Sequence, residues 1–273
     1  MSLEDANKNL EIFQNLIENE KCNEHKGSLK VGVDLGTANI VISVVDEFNN
    51  PIAGATSSSS VVRDGLVVDF IGAVETVRIL KAKVENILGE KITCASCAVP
   101  PGTIAGNAKT IGNVLESCDI DVVNILDEPT AAALALGIMD GAVVDVGGGT
   151  TGVSILKDGK VLYTADEPTG GIHMSLVIAG NYKIPIEEAE IIKKDTKKEK
   201  DNFMLIQAVV EKMAEIVKRH LEGYSVGKIY VVGGACSFNE FEEVFTKVTG
   251  IETVKPNRPL LVTPLGIAIG SIK

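Results

Sequence analysis

Two stretches of the sequence share one chemical design. Residues 31–43 read VGVDLGTANIVIS and residues 142–154 read AVVDVGGGTTGVS. Each is an apolar run ending in an aspartate (Asp34, Asp145). A glycine-rich turn carrying threonine follows (Gly36-Thr37; Gly147-Gly148-Gly149-Thr150-Thr151), and then a second apolar run. Apolar runs flanking so short a turn predict two β-hairpins. Glycine lets backbone N–H groups approach phosphate oxygens with no Cβ in the way, and the threonine hydroxyl adds a side-chain donor. An aspartate at the strand end suits a hydrated Mg2+, which keeps several waters and takes few direct carboxylates. Two such hairpins facing each other would grip a nucleoside triphosphate from both sides. One copy alone would be read as an ordinary tight turn; two copies in the same order point to an internal repeat.

Other segments must position these turns. Residues 127–137, DEPTAAALALG, predict a helix with Pro129 in its first turn and Gly137 at its C′ position. Its alanines give it a thin side that can pack closely, either between two domains or inside one core. Residues 228–232 predict a strand running into Gly233-Gly234, with a helix over 238–249, an arrangement that points backbone N–H groups at a ligand. Further strands are expected at 30–35, 39–46, 92–99, 121–126, 142–146, 152–157 and 160–165. Helices are expected at 70–88, 103–117, 172–179, 186–193 and 203–222, and in the small-residue C-terminal run TPLGIAIGSIK. Ser57–Ser60 reads as a surface loop. KKDTKKEKDN, residues 193–202, reads as a solvated turn and not a binding patch.

The N-terminus is a further element. Residues 3–21 predict an amphipathic helix, capped by Ser2 with Asp5, and residues 22–28 a linker. Leu3, Ala6, Leu10, Phe13 and Ile17 fall on one stripe, with Glu4, Glu11 and Glu18 away from it. A helix of this length is marginal alone in water, so the stripe is expected to be covered, by the body of the protein or by a partner. Deleting residues 1–27 is expected to leave nucleotide binding intact.

Composition narrows the function. The chain has 273 residues and a net charge of −11, which argues against nucleic acid as a partner. No apolar run is long enough to span a membrane without charges, and MSLEDANKNLEIF lacks the pattern of a signal peptide, so a cytoplasmic location is expected. The 5 cysteines, an odd number, fit a reducing compartment. Cys94 and Cys97 lie on an expected strand, where their side chains point to opposite faces, and no second pair completes a zinc site. His25, His173 and His220 are scattered along the chain.

The residues resemble the superfamily of actin, sugar-kinase and heat-shock-chaperone ATPases. VGVDLGTANIVISVVD resembles its first phosphate loop, ILDEPTAAALALG its first connecting helix and AVVDVGGGTTGVSIL its second phosphate loop. IYVVGGACSFNEFEEVF resembles its adenosine motif and TPLGIAIGSI its second connecting helix. EPTAAALA-x-G and GGGT are similar to the chaperones. SVVRDGLVVDFIGAVETVRIL and PIEEAEIIKK are similar to the cell-division and pilus-assembly actin relatives. The blend most resembles the ethanolamine-utilisation protein J family of chaperone-like proteins, from bacterial operons whose enzymes work in a protein-shelled microcompartment.

The resemblance implies an α/β fold of two ribonuclease-H-like, actin-like ATPase domains with an interdomain nucleotide cleft. They would be residues 28–140 plus 260–273, and residues 141–259, after an N-terminal element at 1–27. ATP and Mg2+ are the implied cofactors. Asp34 and Asp145 would hold Mg2+ through water. Gly36, Thr37, Gly147, Gly148, Gly149 and Thr150 would hold phosphates. Glu128 would lie near the metal or the attacking water, completing a catalytic set with Asp34 and Asp145. Gly233 and Gly234 would pass close to the adenosine, and Gly171 would line the same cleft. The chaperones' catalytic lysine has no assigned counterpart among Lys81, Lys83 and Lys91, so hydrolysis is expected to be slow. Without a peptide-binding domain, the chain is not expected to act as a complete heat-shock chaperone. The expected partners are ATP or ADP, with ethanolamine-utilisation enzymes or shell proteins, and the amphipathic N-terminus is one candidate address for a shell. An actin-like assembly scaffold is the alternative function. A small-molecule kinase ranks third, since the GGGTTG turn offers no second acid as a base.

Overall fold

The computed structural model describes residues 2–63 and 65–271. Helix α1 (Leu3–Asn19) comes first. The first half then builds β1 (Lys30–Leu35), β2 (Asn39–Val45), β3 (Pro51–Ser58), β4 (Val62–Arg63), β5 (Leu66–Val67), α2 (Phe70–Leu88), β6 (Cys94–Val99), α3 (Ala105–Glu116), β7 (Asp121–Asp127) and α4 (Glu128–Leu136). The second half builds β8 (Gly141–Val146), β9 (Thr151–Lys157), β10 (Lys160–Glu167), α5 (Gly171–Tyr182), α6 (Ile186–Lys193), α7 (Glu199–Leu221), β11 (Ile229–Val232), α8 (Phe241–Thr249), β12 (Thr253–Val254) and α9 (Val262–Ile269).

The repeat expected from the two hairpins extends to the whole topology. One five-stranded sheet runs β3-β2-β1-β6-β7 and the other β10-β9-β8-β11-β12. In each, the first three strands are antiparallel and the last pairings parallel. Asp34 pairs with Val41 and Asp145 with Gly152, so both aspartates sit one residue before the end of the first strand of their hairpin. Each sheet has its own apolar core, under α2 and α3 in the first half and under α5, α7 and α8 in the second.

A third core joins the two, built from α1, α4, α9 and residues of both sheets. The connecting helices are exchanged: α4 follows the first sheet and packs on β8 and β9, whereas α9 follows the second sheet and packs on β1 and β2. They cross closely, because a Cβ on Gly266 of α9 would lie 1.8 Å from the Ala131 carbonyl oxygen of α4. The alanines of α4 give it the thin side that this crossing requires. Asp127 caps α4 by accepting from the Thr130 N–H at 2.9 Å, and Gly137 ends it in the left-handed conformation.

Three local expectations differ from the structure. Ser57 and Ser58 belong to β3, which continues its pairing with β2 as far as Asn39 opposite Ser58. Residues 193–202 are not a solvated turn. They form the end of α6, a 3-10 turn at Thr196–Lys198 and the start of α7, with Asn202 fully buried and donating to the Ile192 carbonyl at 2.7 Å. Gly233-Gly234 enters a 3-10 turn, Gly234–Cys236, so α8 begins only at Phe241 and its N-terminus does not adjoin the glycines.

The stripe of α1 is covered by the protein itself. The Ser2–Asp5 capping box is present, and Ala6, Leu10, Phe13 and Leu16 are buried, with Leu3 and Ile17 packed beside them. Phe13 rests on β3 at Gly54, where an added Cβ would come within 2.5 Å of the ring. Truncating this fully buried ring removes apolar contact and leaves a cavity. Phe13→Ala should therefore destabilise the protein by about 3–5 kcal/mol. Urea unfolding checks this; an unchanged midpoint would mean that α1 contributes no packing to the fold.

Candidate functional site

The two hairpin turns meet across a cleft of about 560 Å³. A Cβ on Gly148 would lie 3.2 Å from the Cβ of Thr37, so the tips are already in near contact. Gly36, Thr37, Gly147, Gly148, Gly149, Thr150, Glu128, Asp145, Gly171, Gly233 and Gly234 all line this cleft. Of the residues assigned to the site from the sequence, Asp34 alone is not on the lining. It stands behind Gly36 on β1, close enough to Asp145 for each charge to be felt by the other.

The backbone around the second turn is held from below. The N–H groups of Gly171 and Ile172, at the start of α5, donate to the carbonyls of Gly147 and Gly148 at 2.9 and 2.8 Å. The Gly171 N–H is thus committed to shaping the turn. Gly233 has φ +91°, and a Cβ there would lie 2.4 Å from Asp145 Oδ1. Its N–H donates to the Pro259 carbonyl at 2.9 Å. Gly171 and Gly233 therefore serve the cleft by close approach and turn shape, not as free donors.

The carboxylates form an electrostatic cluster. Asp145 is 6% exposed and accepts a hydrogen bond from the Thr263 hydroxyl of α9. Burial pushes the Asp145 carboxyl up to about 6. Burial, with the Asp145 charge added, pushes Asp34 up to about 7. Glu128, the first residue of α4, is raised well above its ordinary value by burial and then by Asp145, Asp34, Asp166 and Asp127. Among the described residues, no three His, Cys, Asp or Glu side chains are placed to ligate one ion together.

Sequence reasoning missed part of the cleft lining. Lys193, from the run read as solvated, lines the cleft with Glu190 of the same helix. Its Nζ lies 2.6 Å from Glu190 Oε2 and donates to Ser175 Oγ at 2.9 Å and to the Gly171 carbonyl at 3.0 Å. Burial holds this ammonium below its ordinary value, against the pull of Glu190. Asn257, Arg258 and Thr263 were also missed. The available signal was helical spacing: Glu190 and Lys193 are three apart on α6, beside the buried Ala189. The three lysines considered from sequence are held elsewhere: Lys81 on the Cys118 and Asp119 carbonyls, Lys83 on Glu20, Lys91 on Glu85.

A sequence model of the type IV pilus assembly protein PilM family matches residues 132–260. The chain is 45% identical over 241 residues to the ethanolamine utilization protein EutJ of Salmonella typhimurium, covering 88% of this chain and 85% of that protein. The crystal structure of ethanolamine utilization protein EutJ from Carboxydothermus hydrogenoformans superposes with a TM-score of 0.93 at 50% identity, covering 98% of both chains. MreB 5 of Spiroplasma citri, solved bound to AMPPNP, superposes with a TM-score of 0.70 at 18% identity, covering 89% of this chain and 95% of that one. The architecture is thus an actin-like ATPase fold, two α/β units around a cleft, as the motif order implied.

The cluster has a consequence for stability. A carboxyl whose folded value is raised stabilises the fold while protonated, and that contribution is lost as pH rises through the folded value. For Asp34 the loss runs from its ordinary 3.8 up to about 7. Asp34→Asn should therefore raise the melting temperature of nucleotide-free protein at pH 8, with the gain shrinking towards pH 5. Thermal melts at the two pH values measure this; a gain equal at both would show that the cleft charges are not strained.

Proposed function

The chain belongs to the family of the ethanolamine utilization protein EutJ, and on that premise we propose that it is a nucleotide-driven switch which binds Mg2+–ATP between its two halves and acts as a chaperone-like protein of ethanolamine utilisation. The halves are residues 28–140 with 260–273, and residues 141–259. The observation that carries this reading is the meeting of the two glycine turns with a carboxylate behind each. Glycine at 148 leaves backbone within reach of a ligand from one side, and Thr37 offers a hydroxyl from the other.

The residues fit the group. A hydrated Mg2+ takes only one or two carboxylates, and Asp34 and Asp145 offer two whose mutual repulsion a cation would relieve. When bound, Mg2+ would neutralise charge on the phosphate oxygens. The turns at Gly36-Thr37 and at Gly147–Thr150 hold and orient the triphosphate. Thr263 donates to Asp145 and keeps that carboxylate facing the cleft. Glu128, at the start of α4 on the cleft lining, is placed to orient the water near the terminal phosphate and to take its proton when ionised. The contacts made from both halves supply the differential affinity that a closed state needs over an open one. The partners would be ethanolamine-utilisation enzymes or microcompartment shell proteins.

Calorimetry with ATP, with and without Mg2+, tests the site. Asp34→Asn and Asp145→Asn should each weaken Mg2+-dependent binding; unchanged Mg2+ dependence in both variants would sink the assignment. Turnover should be slow, well below the roughly 10 per second typical of enzymes, because Lys81, Lys83 and Lys91 are held away from the cleft and the ammonium of Lys193, which lines it, is committed to Glu190, Ser175 and the Gly171 carbonyl. Glu128→Gln should lower turnover more than binding. Steady-state phosphate release measures both, and a normal rate in Glu128→Gln would remove it from the mechanism.

A further inference from the structure

The N-terminal helix reaches the cleft. Its apolar stripe lies on the first sheet, but its polar side holds the segment that leads from β12 to α9. Asn7 Oδ1 accepts from the backbone N–H of Asn257 at 3.0 Å. Glu11 Oε2 accepts from Nε and Nη2 of Arg258 at 3.2 and 3.1 Å. Asn257 and Arg258 both line the main cleft. They also line a second cavity of about 660 Å³, which runs between α1 and the same segment and whose lining includes neither glycine turn. The two residues, with Ser237, Asn239 and Leu260, therefore form a partition shared by the two cavities, and neither hairpin turn belongs to it.

We propose that Asn7 and Glu11 are positioning residues of the nucleotide site, fixing Asn257 and Arg258 as the wall that meets the sugar and base of a bound nucleoside triphosphate. This rests on the nucleotide reading above. A triphosphate seated on the glycine turns directs its sugar and base along the cleft, towards this partition. The Arg258 guanidinium is planar and stacks on an aromatic face in a way an ammonium does not. Its side chain is 43% exposed and Glu11 is its ion-pair partner, so without Glu11 it samples many rotamers and loses a defined face. The segment around it is irregular, ending in a 3-10 turn at Pro259–Leu261. It is tied on its inner side by the Gly233 N–H on the Pro259 carbonyl and by Lys255 on the Phe238 carbonyl, and on its outer side by α1. By linkage, a bound nucleotide must in turn strengthen the docking of α1. The helix is then a working part of the site, against the expectation that residues 1–27 are separable.

The experiment compares ATP with inorganic tripolyphosphate, each with Mg2+, by calorimetry on the full chain. The variants are Glu11→Ala, Asn7→Ala, Arg258→Ala and the Glu11→Ala/Arg258→Ala pair, with hydrogen exchange followed across residues 256–261. Glu11→Ala should bind ATP roughly three- to tenfold more weakly and tripolyphosphate unchanged. In the Arg258→Ala background it should add nothing further. Exchange at 256–261 should rise in Glu11→Ala. Equal ATP affinity in wild type and Glu11→Ala would overturn the inference while leaving the nucleotide reading intact. Equal losses for ATP and tripolyphosphate would overturn it as well, by showing general loosening. A wild-type protein that binds no ATP, with normal protection at 256–261, would sink the nucleotide reading and this inference with it.

Discussion

The close crossing of α4 and α9 is the contact on which the cleft depends. With 1.8 Å between the Ala131 carbonyl oxygen and any Cβ on Gly266, no side chain fits at that point without separating the helices. A second close approach lies beneath it, where a Cβ on Gly32 of β1 would fall 2.4 Å from the Ala268 backbone nitrogen of α9. Together they press α9 between β1 and α4. The consequence is felt at the site. Thr263 of α9 reaches Asp145 of the second sheet, and the hairpin tips at Thr37 and Gly148 approach to within contact. Packed interiors transmit such displacements because they have little free volume to absorb them.

That geometry forces like charges together. Asp34, Asp145 and Glu128 come from three elements, and nothing local to any of them favours the arrangement. Glu128 gains from its place in the first turn of α4, where the helix dipole favours a negative charge. The gain is small beside the burial and repulsion that raise it. Such a cluster is stable only because the surrounding cores over-determine it, with the fully buried Val33, Val143 and Val144 on the carboxylate-bearing strands. The carboxylates therefore resist being charged together, and each holds its proton more tightly than an exposed carboxyl does.

Much of this was legible in the sequence, and for a definite reason. The two hairpins, the Pro129–Gly137 helix and the amphipathic stripe of α1 are local patterns, set by turn chemistry and helical spacing within a few residues. The duplication of sheet order followed from them. What was not legible depends on contacts between distant segments. Lys193 sits in a run of mixed charge that looks solvated, and only the packing of α6 beside α5 turns it inward to Ser175 and Gly171. Arg258 carries no local signal at all, because its orientation is set by Glu11, which lies 247 positions away in the chain. Gly233 was recognised as a cleft residue, but the 3-10 turn after it was not, since a three-residue turn leaves no periodicity to read.

The placement of α1 changes what opening of the cleft must involve. If the two halves moved as independent bodies, the helix would have to choose between them, because its stripe is on β3 and its polar side on Asn257 and Arg258. The apolar attachment is the stronger of the two: four buried side chains, one of them a phenylalanine, against one backbone hydrogen bond and one half-exposed ion pair. On separation α1 should therefore stay with the first sheet, and the contacts that break are those to the 257–258 segment. Those same contacts shape the cleft wall. On the proposed nucleotide reading, opening would then remove the wall at the moment it releases the turns, and would join loss of phosphate contact to loss of sugar and base contact in one movement. A ligand gripped at both ends resists that movement by the sum of both sets of contacts, and this differential affinity is what a two-state switch requires.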